Sequence, residues 1–202
     1  SFTMSTFLLS NNGKVGVYGN GDRVIGSAGT EKALIMDGAE NVVVENTVEE
    51  IHVANNMAQL TFRVDTNTNE VSVVSGSTVL AKFAPEAAGI KLFTATGMSV
   101  IKSVVDTATG EISFTADNGS ASATPVPLPT NGSALPSDAI DTNAKSDNAG
   151  GTTPTPPVTP TEEGITVAIA AAGLANGTYK GGDYILDDNV ANLNGATYAV
   201  VN

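Results

Sequence analysis

Alternating hydrophobic and polar residues in the middle of the chain restrict its fold more than any other feature. From Asn41 to Phe114 the aliphatic and aromatic residues recur at every second position in short segments, for example at Leu60, Phe62 and Val64. A period of two gives each strand one buried and one solvated face, as in antiparallel sheets. Turn sequences rich in Asn, Thr, Ser and Gly separate these segments. The pattern predicts an all-β fold, either a β-sandwich or a solenoid-like module of short antiparallel strands.

A proline-rich stretch divides the chain. Residues Ala121 to Glu163 contain eight of the nine prolines and no aromatic residue, a composition that favours extended polyproline II backbone. We therefore predict a β-rich module at residues 1–120, an extended spacer at 121–163 and a small, incomplete β-segment at 164–202. Residues 1–10 are either the first strand of the module or a strand exchanged with another copy. The last part is short enough to need a partner surface or a metal, since the chain has no cysteine for disulfides.

The charge of the chain limits its partners. It carries 21 acidic and 9 basic residues, a net charge of -12, and the basic residues are scattered singly. Nucleic acid and anionic membrane surfaces both require concentrated positive charge, so we expect neither as a partner. No apolar run reaches the roughly 18 residues of a membrane span, which predicts no membrane insertion. Abundant Thr, Asn and Gly are typical of bacterial surface and secreted proteins, and we expect an extracellular, cell-surface location.

Two segments of the chain form a weak repeat. Residues Gly16 to Ile25 align with Gly177 to Leu186, and a Gly, a Tyr, a second Gly and an Asp coincide. The aliphatic positions also match in kind. The alignment suggests that the C-terminal part is the opening of a second module like the first.

With Gly26-Ser27-Ala28-Gly29 and the Val- and Ile-rich strands that follow, these segments resemble the glycine- and aspartate-rich repeats of large bacterial secreted surface proteins. That group includes S-layer proteins and RTX-type adhesins. The resemblance covers about 30 residues, with a looser likeness over residues 12–119. It implies a structural protein of the cell surface. The chain departs from the RTX nonapeptide because it has a single Gly-x-Gly-Asp step, at Gly19 to Asp22, where that family stacks many turns that share calcium.

Two groups of oxygen-bearing residues are candidate calcium ligands. Asp65, Asn67 and Asn69 place oxygens at alternate positions, as a hard cation with six to eight oxygen ligands requires. The alternative is a hairpin turn in which Asp and Asn bond their own backbone. The second group, around a Gly-Gly turn, would tie the short C-terminal part together, and its alternative is a solvated acidic turn. Its members are Asp183, Asp187 and Asp188.

The sequence contains no recognisable catalytic set. His52 is the only histidine, no Gly-x-Ser-x-Gly motif accompanies it, and a strand-surface position is expected for it. Glu45, Glu49 and Glu50 fall on or beside a strand and are expected on a solvated strand face. We therefore predict that the chain is not an enzyme.

The predicted function is structural. An apolar strip at the N-terminus and the short C-terminal part are both suited to pairing with a sheet in another copy, because strand addition supplies backbone hydrogen bonds and side-chain pockets. We therefore expect self-assembly into a surface layer or filament, with copies of the chain as partners. The alternative is an adhesin or carbohydrate-binding module on a proline-rich stalk, with a glycan as partner. The candidate assembly residues are Phe2, Phe7, Leu8, Leu9, Ile165, Val167, Tyr184 and Ile185.

Overall fold

The computed structural model describes residues 6–9, 11–17 and 19–148, together with the backbone of four strands between residues 165 and 201. The described chain is built from β-strands in two mixed sheets, sheet A and sheet B, with two single-turn 3-10 segments at Met57–Gln59 and Ser137–Ala139. An all-β fold is therefore confirmed. Among the described residues no helix has the length and apolarity of a membrane span.

The strands are given in chain order. They are β1 (Thr6–Leu9), β2 (Lys14–Val17), β3 (Arg23–Ile25), β4 (Lys32–Ile35), β5 (Val42–Val44), β6 (Glu50–Val53), β7 (Leu60–Asp65), β8 (Glu70–Ser75), β9 (Thr78–Phe83), β10 (Ile90–Phe93), β11 (Met98–Val105), β12 (Ile112–Asp117) and β13 (Val126–Pro127). The backbone strands that follow are β14 (Ile165–Ala170), β15 (Leu174–Tyr179), β16 (Asp183–Leu186) and β17 (Tyr198–Val201).

The first six strands form a coil. Odd-numbered strands join sheet A and even-numbered strands join sheet B, so the chain crosses from one sheet to the other at every step. Neighbouring strands in each sheet are parallel, and Lys14 pairs with Lys32 and Lys32 with Glu50, a step of 18 residues each time. The prediction that all strands are antiparallel is therefore wrong. A two-residue period shows only that one face of a strand is buried. Parallel strands also have one buried face where two sheets pack against each other, so the period does not give the strand direction.

Antiparallel pairs follow in the second half of the module. In sheet A, β9 lies parallel with β5, and the hairpin of β8 and β7 adds to the outer side of β9 in antiparallel order. In sheet B, β10 lies parallel with β6, and β11, β12 and β13 add to it in antiparallel order. The hydrophobic alternation was strongest in these segments, and here the antiparallel prediction is confirmed.

The core lies between the two sheets. Strands β1 to β12 contribute their inward positions, so that alternate residues such as Ile51 and Val53 are fully buried. Burial of these apolar side chains supplies the main stabilisation, on the order of 25 cal/mol per Å² removed from water. The largest fully buried apolar side chains are Phe7, Phe62, Phe83, Leu34, Met36, Ile51, Met57, Leu60, Leu92 and Ile101.

A buried glutamate joins successive turns of the coil. The Glu31 carboxylate accepts hydrogen bonds from the backbone N–H groups of Asn12, at 2.9 Å, and Ser27. The Glu31 N–H in turn donates to Oε2 of Glu49 at 2.8 Å. These bonds satisfy backbone groups that the crossing between sheets leaves without a strand partner. Gly26 is required beside them, because a Cβ at that position would overlap the carbonyl oxygen of Thr47.

Residues 126–148 pack on the module. Leu128, Leu135 and Ala139 are buried, and the backbone of Asp141 exchanges two hydrogen bonds with that of Met98, at 2.9 and 2.8 Å. An extended spacer is not confirmed over these residues, where the structure shows a segment folded against sheet B. The C-terminal part of the predicted spacer, residues 149–163, lies outside the described residues.

The C-terminal strands are described by their backbone. The β14–β15 hairpin adds to sheet B beside β2, and the β16–β17 hairpin adds to sheet A beside β1. Both copies of the sequence repeat therefore span the same step from sheet B to sheet A, from β2 to β3 and from β15 to β16. β1 itself pairs in parallel with β3 of the same chain.

Candidate functional site

Residues 141–148, here called the strap, cross the ends of three parallel strands of sheet B. The N–H of Ser146 donates to the carbonyl of Thr94 at 2.8 Å, just after β10. The N–H of Asp147 donates to Nδ1 of His52 in β6 at 3.0 Å. The side-chain amide of Asn148 donates to the carbonyl of Ile35 in β4 at 3.0 Å. The strap thus satisfies acceptors at the ends of successive strands.

His52 lies beneath the strap. It is 1% exposed, its ring stacks on that of Phe93 at a centroid distance of 4.4 Å, and Nε2 lies 2.8 Å from Oε1 of Glu50. The predicted surface position of His52 is therefore wrong, because its outward-facing site in β6 is covered by the strap. The Asp147 amide can only donate, so Nδ1 carries no proton and Nε2–H donates to Glu50. Both ring nitrogens are occupied.

Glu50 is the charged centre of this cluster. Lys32 Nζ lies 3.8 Å from its Oε1 and 3.3 Å from Oδ2 of Asp147. Burial alone would raise the pKa of Glu50, but the hydrogen bond from His52 and the charge of Lys32 outweigh it and hold that pKa below 4.5. The expectation that Glu50 lies on a solvated face is wrong, because its side chain is only 12% exposed.

The strap also buries two polar atoms. Ser146 is 7% exposed and Asn148 is 1% exposed, and neither Oγ of Ser146 nor Oδ1 of Asn148 has a hydrogen-bond partner among the described residues. Such groups are rare in folded proteins because each leaves a desolvation cost uncompensated. The three bonds described above, the two backbone bonds between Asp141 and Met98 and the ion pair between Lys32 and Asp147 hold the strap and offset the desolvation cost of these two atoms.

This cluster holds the chain in place, and its geometry does not present a reactive group. A general base needs a ring nitrogen that can reach a substrate proton, and each nitrogen of His52 already has a protein partner. Displacement of the strap would be required to free Nδ1. The arrangement therefore acts as a latch between the 141–148 segment and sheet B.

The predicted calcium ligands in the first half of the chain lie in the β7–β8 turn. Oδ1 of Asp65 accepts the N–H of Asn67 at 2.9 Å, and the Asp65 carbonyl accepts that of Asn69 at 2.7 Å. Asn69 has a left-handed φ of 58°. This is the hairpin-turn alternative, and calcium binding there stays a prediction. Within the described part of the chain, no three His, Cys, Asp or Glu residues are grouped as metal ligands. The side chains of Asp183, Asp187 and Asp188 lie outside the described residues.

The far end of the two sheets, here called the open end, is formed by β7 in sheet A and by β12 and β13 in sheet B. A groove of about 670 Å³ lies there, lined by residues that include Val64, Phe114 and Leu128. Ile112 also lines it, and continues the inward face of β12 beyond Phe114. Ile112 is 39% exposed and Val105, its cross-strand partner, is 56% exposed. Inner-face apolar surface therefore reaches solvent at this end.

A second, more polar cleft of about 310 Å³ lies on the side of the module, where the β4–β5 turn meets the ends of β6 and β8. Asn55 donates from Nδ2 to Oγ of Ser75 at its wall, at 3.2 Å. The other polar residues of the lining are Asp37, Glu40 and Thr78. These groups could bind hydroxyl groups of a small polar ligand.

The predicted assembly residues divide into two groups. Phe7 and Leu9 are buried in the core of their own chain, and Leu8 is partly buried. Phe2 and the side chains of Ile165, Val167, Tyr184 and Ile185 lie outside the described residues. Sequence reasoning missed the strap, because the contacts of the strap join residues far apart in the chain. It also did not single out β7, although the outward charges of Arg63 and Asp65 were visible in the sequence.

A comparison of the chain with protein-family models, curated proteins and solved structures finds no match.

Proposed function

We propose that this chain is a structural module of a secreted, cell-surface protein and that it assembles with copies of itself through strand pairing, into a layer or filament. The observation that carries the proposal is the open end. There a six-residue edge strand lies beside exposed inner-face residues, namely Val105 and Ile112. Unpaired strand edges and exposed apolar surface both favour association with another β-structure.

The coil supports a structural role. Each turn contacts mainly the turns before and after it, so the module is a stack with two ends and a continuous core. A stack of this kind can extend at its ends by further backbone pairing without any change in its interior. Assembly through the ends is therefore the arrangement that the architecture favours.

The net charge of the chain supports the choice of partners. A net charge of -12 without a basic cluster disfavours nucleic acid and anionic membranes, and leaves a protein surface or a neutral glycan as the partner. We infer that the chain has no catalytic activity.

Calcium remains a candidate ligand that could neutralise acidic turns during assembly, and so the assembly assay includes it.

The second candidate function is carbohydrate binding, as in an adhesin. The polar side cleft favours it, because Asp37, Glu40 and Asn55 offer the acceptors and donors that sugar hydroxyls require. Its test is a glycan array with the wild-type chain and Asn55→Ala. A glycan bound by the first and lost by the second would favour this function.

The assembly proposal is tested by sedimentation velocity over a wide range of protein concentration, with calcium and with chelator, followed by negative-stain microscopy. We expect a concentration-dependent shift from monomer to larger species, with filaments or sheets on the grids. A monodisperse monomer at high concentration under both conditions would overturn the proposal.

A further inference from the structure

Strand β7 is the edge strand of sheet A at the open end. Natural sheets protect their edges with short strands, prolines, inward charges or charged side chains along the edge, and of these β7 carries only charged side chains, Arg63 and Asp65. In sheet B the outermost described strand beyond β12 is β13, which has two residues and ends in Pro127. In sheet A the outermost strand at the same end is β7, with six residues and no proline. No described strand pairs with its outer side, which leaves those backbone groups available for a further strand.

The outward side chains of β7 carry opposite charges two residues apart. Leu60, Phe62 and Val64 face the core or the groove, and this leaves Arg63 and Asp65 exposed on the outer face. Among the residues that the structure describes, Arg63 has no carboxylate partner, whereas Arg23 pairs with Glu45 and Lys102 with Asp117. An exposed, unpaired cation beside an anion on an open edge can pair across that edge.

We propose that two copies of the chain pair through β7 in antiparallel order about a two-fold axis at Val64. This inference rests on the proposed function and names its partner surface. Residues directly opposite in an antiparallel pair lie on the same face of the sheet. With Val64 opposite Val64 of the second copy, Arg63 of each copy faces Asp65 of the other, and two reciprocal ion pairs form.

The alternative registers that keep both copies in one continuous sheet are less favourable. A pair centred on Arg63 places the two guanidinium groups opposite each other, and like charges directly opposite are destabilising. A pair centred on Phe62 places Arg63 opposite Thr61 and leaves both charges without an opposite partner. The Val64 register is the one among these three that pairs every charge of the strand.

The groove at the open end supports the same axis. Val64 belongs both to the edge strand and to the groove lining, which also contains Ile112, Phe114 and Leu128. A two-fold axis at Val64 brings the two grooves together, so that each copy covers inner-face apolar surface of the other. Such a contact is isologous and self-complementary and closes at two copies, so extension of the dimer into a layer or filament requires a further contact on another surface of the chain. Apolar burial in the grooves then supplies most of the free energy, and the ion pairs fix the register.

The charge pair is tested by reversal and restoration. Arg63→Asp and Asp65→Arg should each weaken the dimer at least about tenfold, because each replaces two attractive oppositions by two repulsive ones. The double variant Arg63→Asp/Asp65→Arg restores complementarity and should recover most of the affinity. Lys82→Asp is the matched control, since Lys82 lies two strands away in the same cross-strand row and the change in charge is equal. Sedimentation velocity measures the dissociation constants, and thermal unfolding checks that each variant is folded.

A single cysteine tests the axis itself. The chain has no cysteine of its own, and residues opposite in an antiparallel pair bring their Cβ atoms to about 4.5–5.5 Å. Val64→Cys should therefore form a disulfide-linked dimer under mild oxidation, and Thr61→Cys should not. If the wild-type chain associates but Val64→Cys does not cross-link and the double charge variant does not recover, the β7 interface is wrong and the proposed assembly stands on another surface. A chain that does not associate at all overturns both.

Discussion

The strap and the open end differ in whether the chain covers the strands of its own sheets. The strap crosses the ends of strands in sheet B, whereas the open end leaves strands at the edges of both sheets. Under the strap the chain covers its own surface, with three hydrogen bonds to strand ends and a buried histidine paired with Glu50. At the open end the chain provides no cover among the described residues, and Val105 and Ile112 remain exposed. Polar, directional contacts close the monomer under the strap, while apolar surface is left exposed at the end where we propose that another copy docks.

The largest effect is expected at His52. His52→Ala removes the acceptor for the Asp147 amide, the donor to Glu50 and the stacking on Phe93, and leaves a mostly buried carboxylate with one fewer partner. We expect a loss of about 3 kcal/mol in the free energy of unfolding, measured by urea denaturation. Hydrogen exchange should show faster exchange of the Asp147 amide. A loss below about 0.5 kcal/mol would show that His52 does not hold the strap.

Two isosteric variants separate the bonds of His52. The side-chain oxygen of His52→Asn occupies the place of Nδ1 and can accept from Asp147, while the amide nitrogen of His52→Gln occupies that of Nε2 and can donate to Glu50. Both should lose less stability than His52→Ala. Slow exchange of the Asp147 amide should survive in the Asn variant and be lost in the Gln variant.

A smaller effect is expected from the charge of Glu50. Because the pKa of Glu50 is lower in the folded chain than its ordinary value of 4.5, the carboxylate contributes stability above pH 4.5 that is lost as pH falls through the lowered pKa. Glu50→Gln keeps an acceptor for His52 but has no charge. The wild-type chain should therefore exceed this variant in unfolding free energy near neutral pH, and the difference should shrink below pH 4.5.

Glu49 is present both in the wild-type chain and in Glu50→Gln, and its effect on the pH dependence of stability is opposite to that of Glu50. Burial raises its pKa, as do the carboxylates of Glu31 and Glu50, so its protonation favours the folded state as pH falls. The comparison of wild type with Glu50→Gln largely removes this contribution. A difference that grows on acidification would contradict the assignment to Glu50.

Ser146 should show an effect of opposite sign. Its Oγ is buried without a partner among the described residues, so Ser146→Ala removes a polar atom whose hydration is lost on folding. We expect the unfolding free energy to rise by about 0.5–1 kcal/mol, measured by urea denaturation. The exposed Ser133→Ala is the control and should change little. A loss of stability at Ser146 would show that its hydroxyl is hydrogen-bonded in solution.

The smallest effect on the monomer is expected at the open end. Val105→Thr and Ile112→Thr alter side chains that are 56% and 39% exposed, so each should change the unfolding free energy by only about 0.5 kcal/mol. Val73→Thr, at a fully buried position, should cost about 2 kcal/mol. If both open-end variants destabilise the monomer as much as Val73→Thr does, the contrast between the two regions fails.

The sequence predicts the hairpin half of the fold because its signals are local. Leu60, Phe62 and Val64 alternate along one strand, and the Asp65–Asn69 turn carries its own hydrogen bonds, so both can be recognised within ten residues. The parallel half has no such signal. Strands such as Val42–Val44 have three residues, and their direction is fixed by partners one coil turn away.

The candidate site was less accessible to sequence reasoning than the fold. The cover of His52 arrives 95 residues later in the chain, within a stretch whose prolines indicate extended backbone. Leu128, Leu135 and Ala139 in that stretch are buried, and apolar residues between prolines were the one local sign that it packs. At β7 the alternation of Arg63 and Asp65 was visible, but the position of the strand at an edge depends on the topology of the whole sheet.

The separation of the strap from its acceptors also sets an order of folding. Side-chain hydrogen bonds between successive coil turns join residues 16 to 22 positions apart, whereas the bonds of the strap to β4 and β6 join residues 95 to 115 apart. Local contacts close small loops and form early, while distant ones require most of the chain. During synthesis the coil can therefore form turn by turn as it leaves the ribosome. The strap can cover His52 only after Asn148 has left the ribosome. A chain truncated before the strap would therefore fold its coil but leave His52 and Glu50 exposed to water.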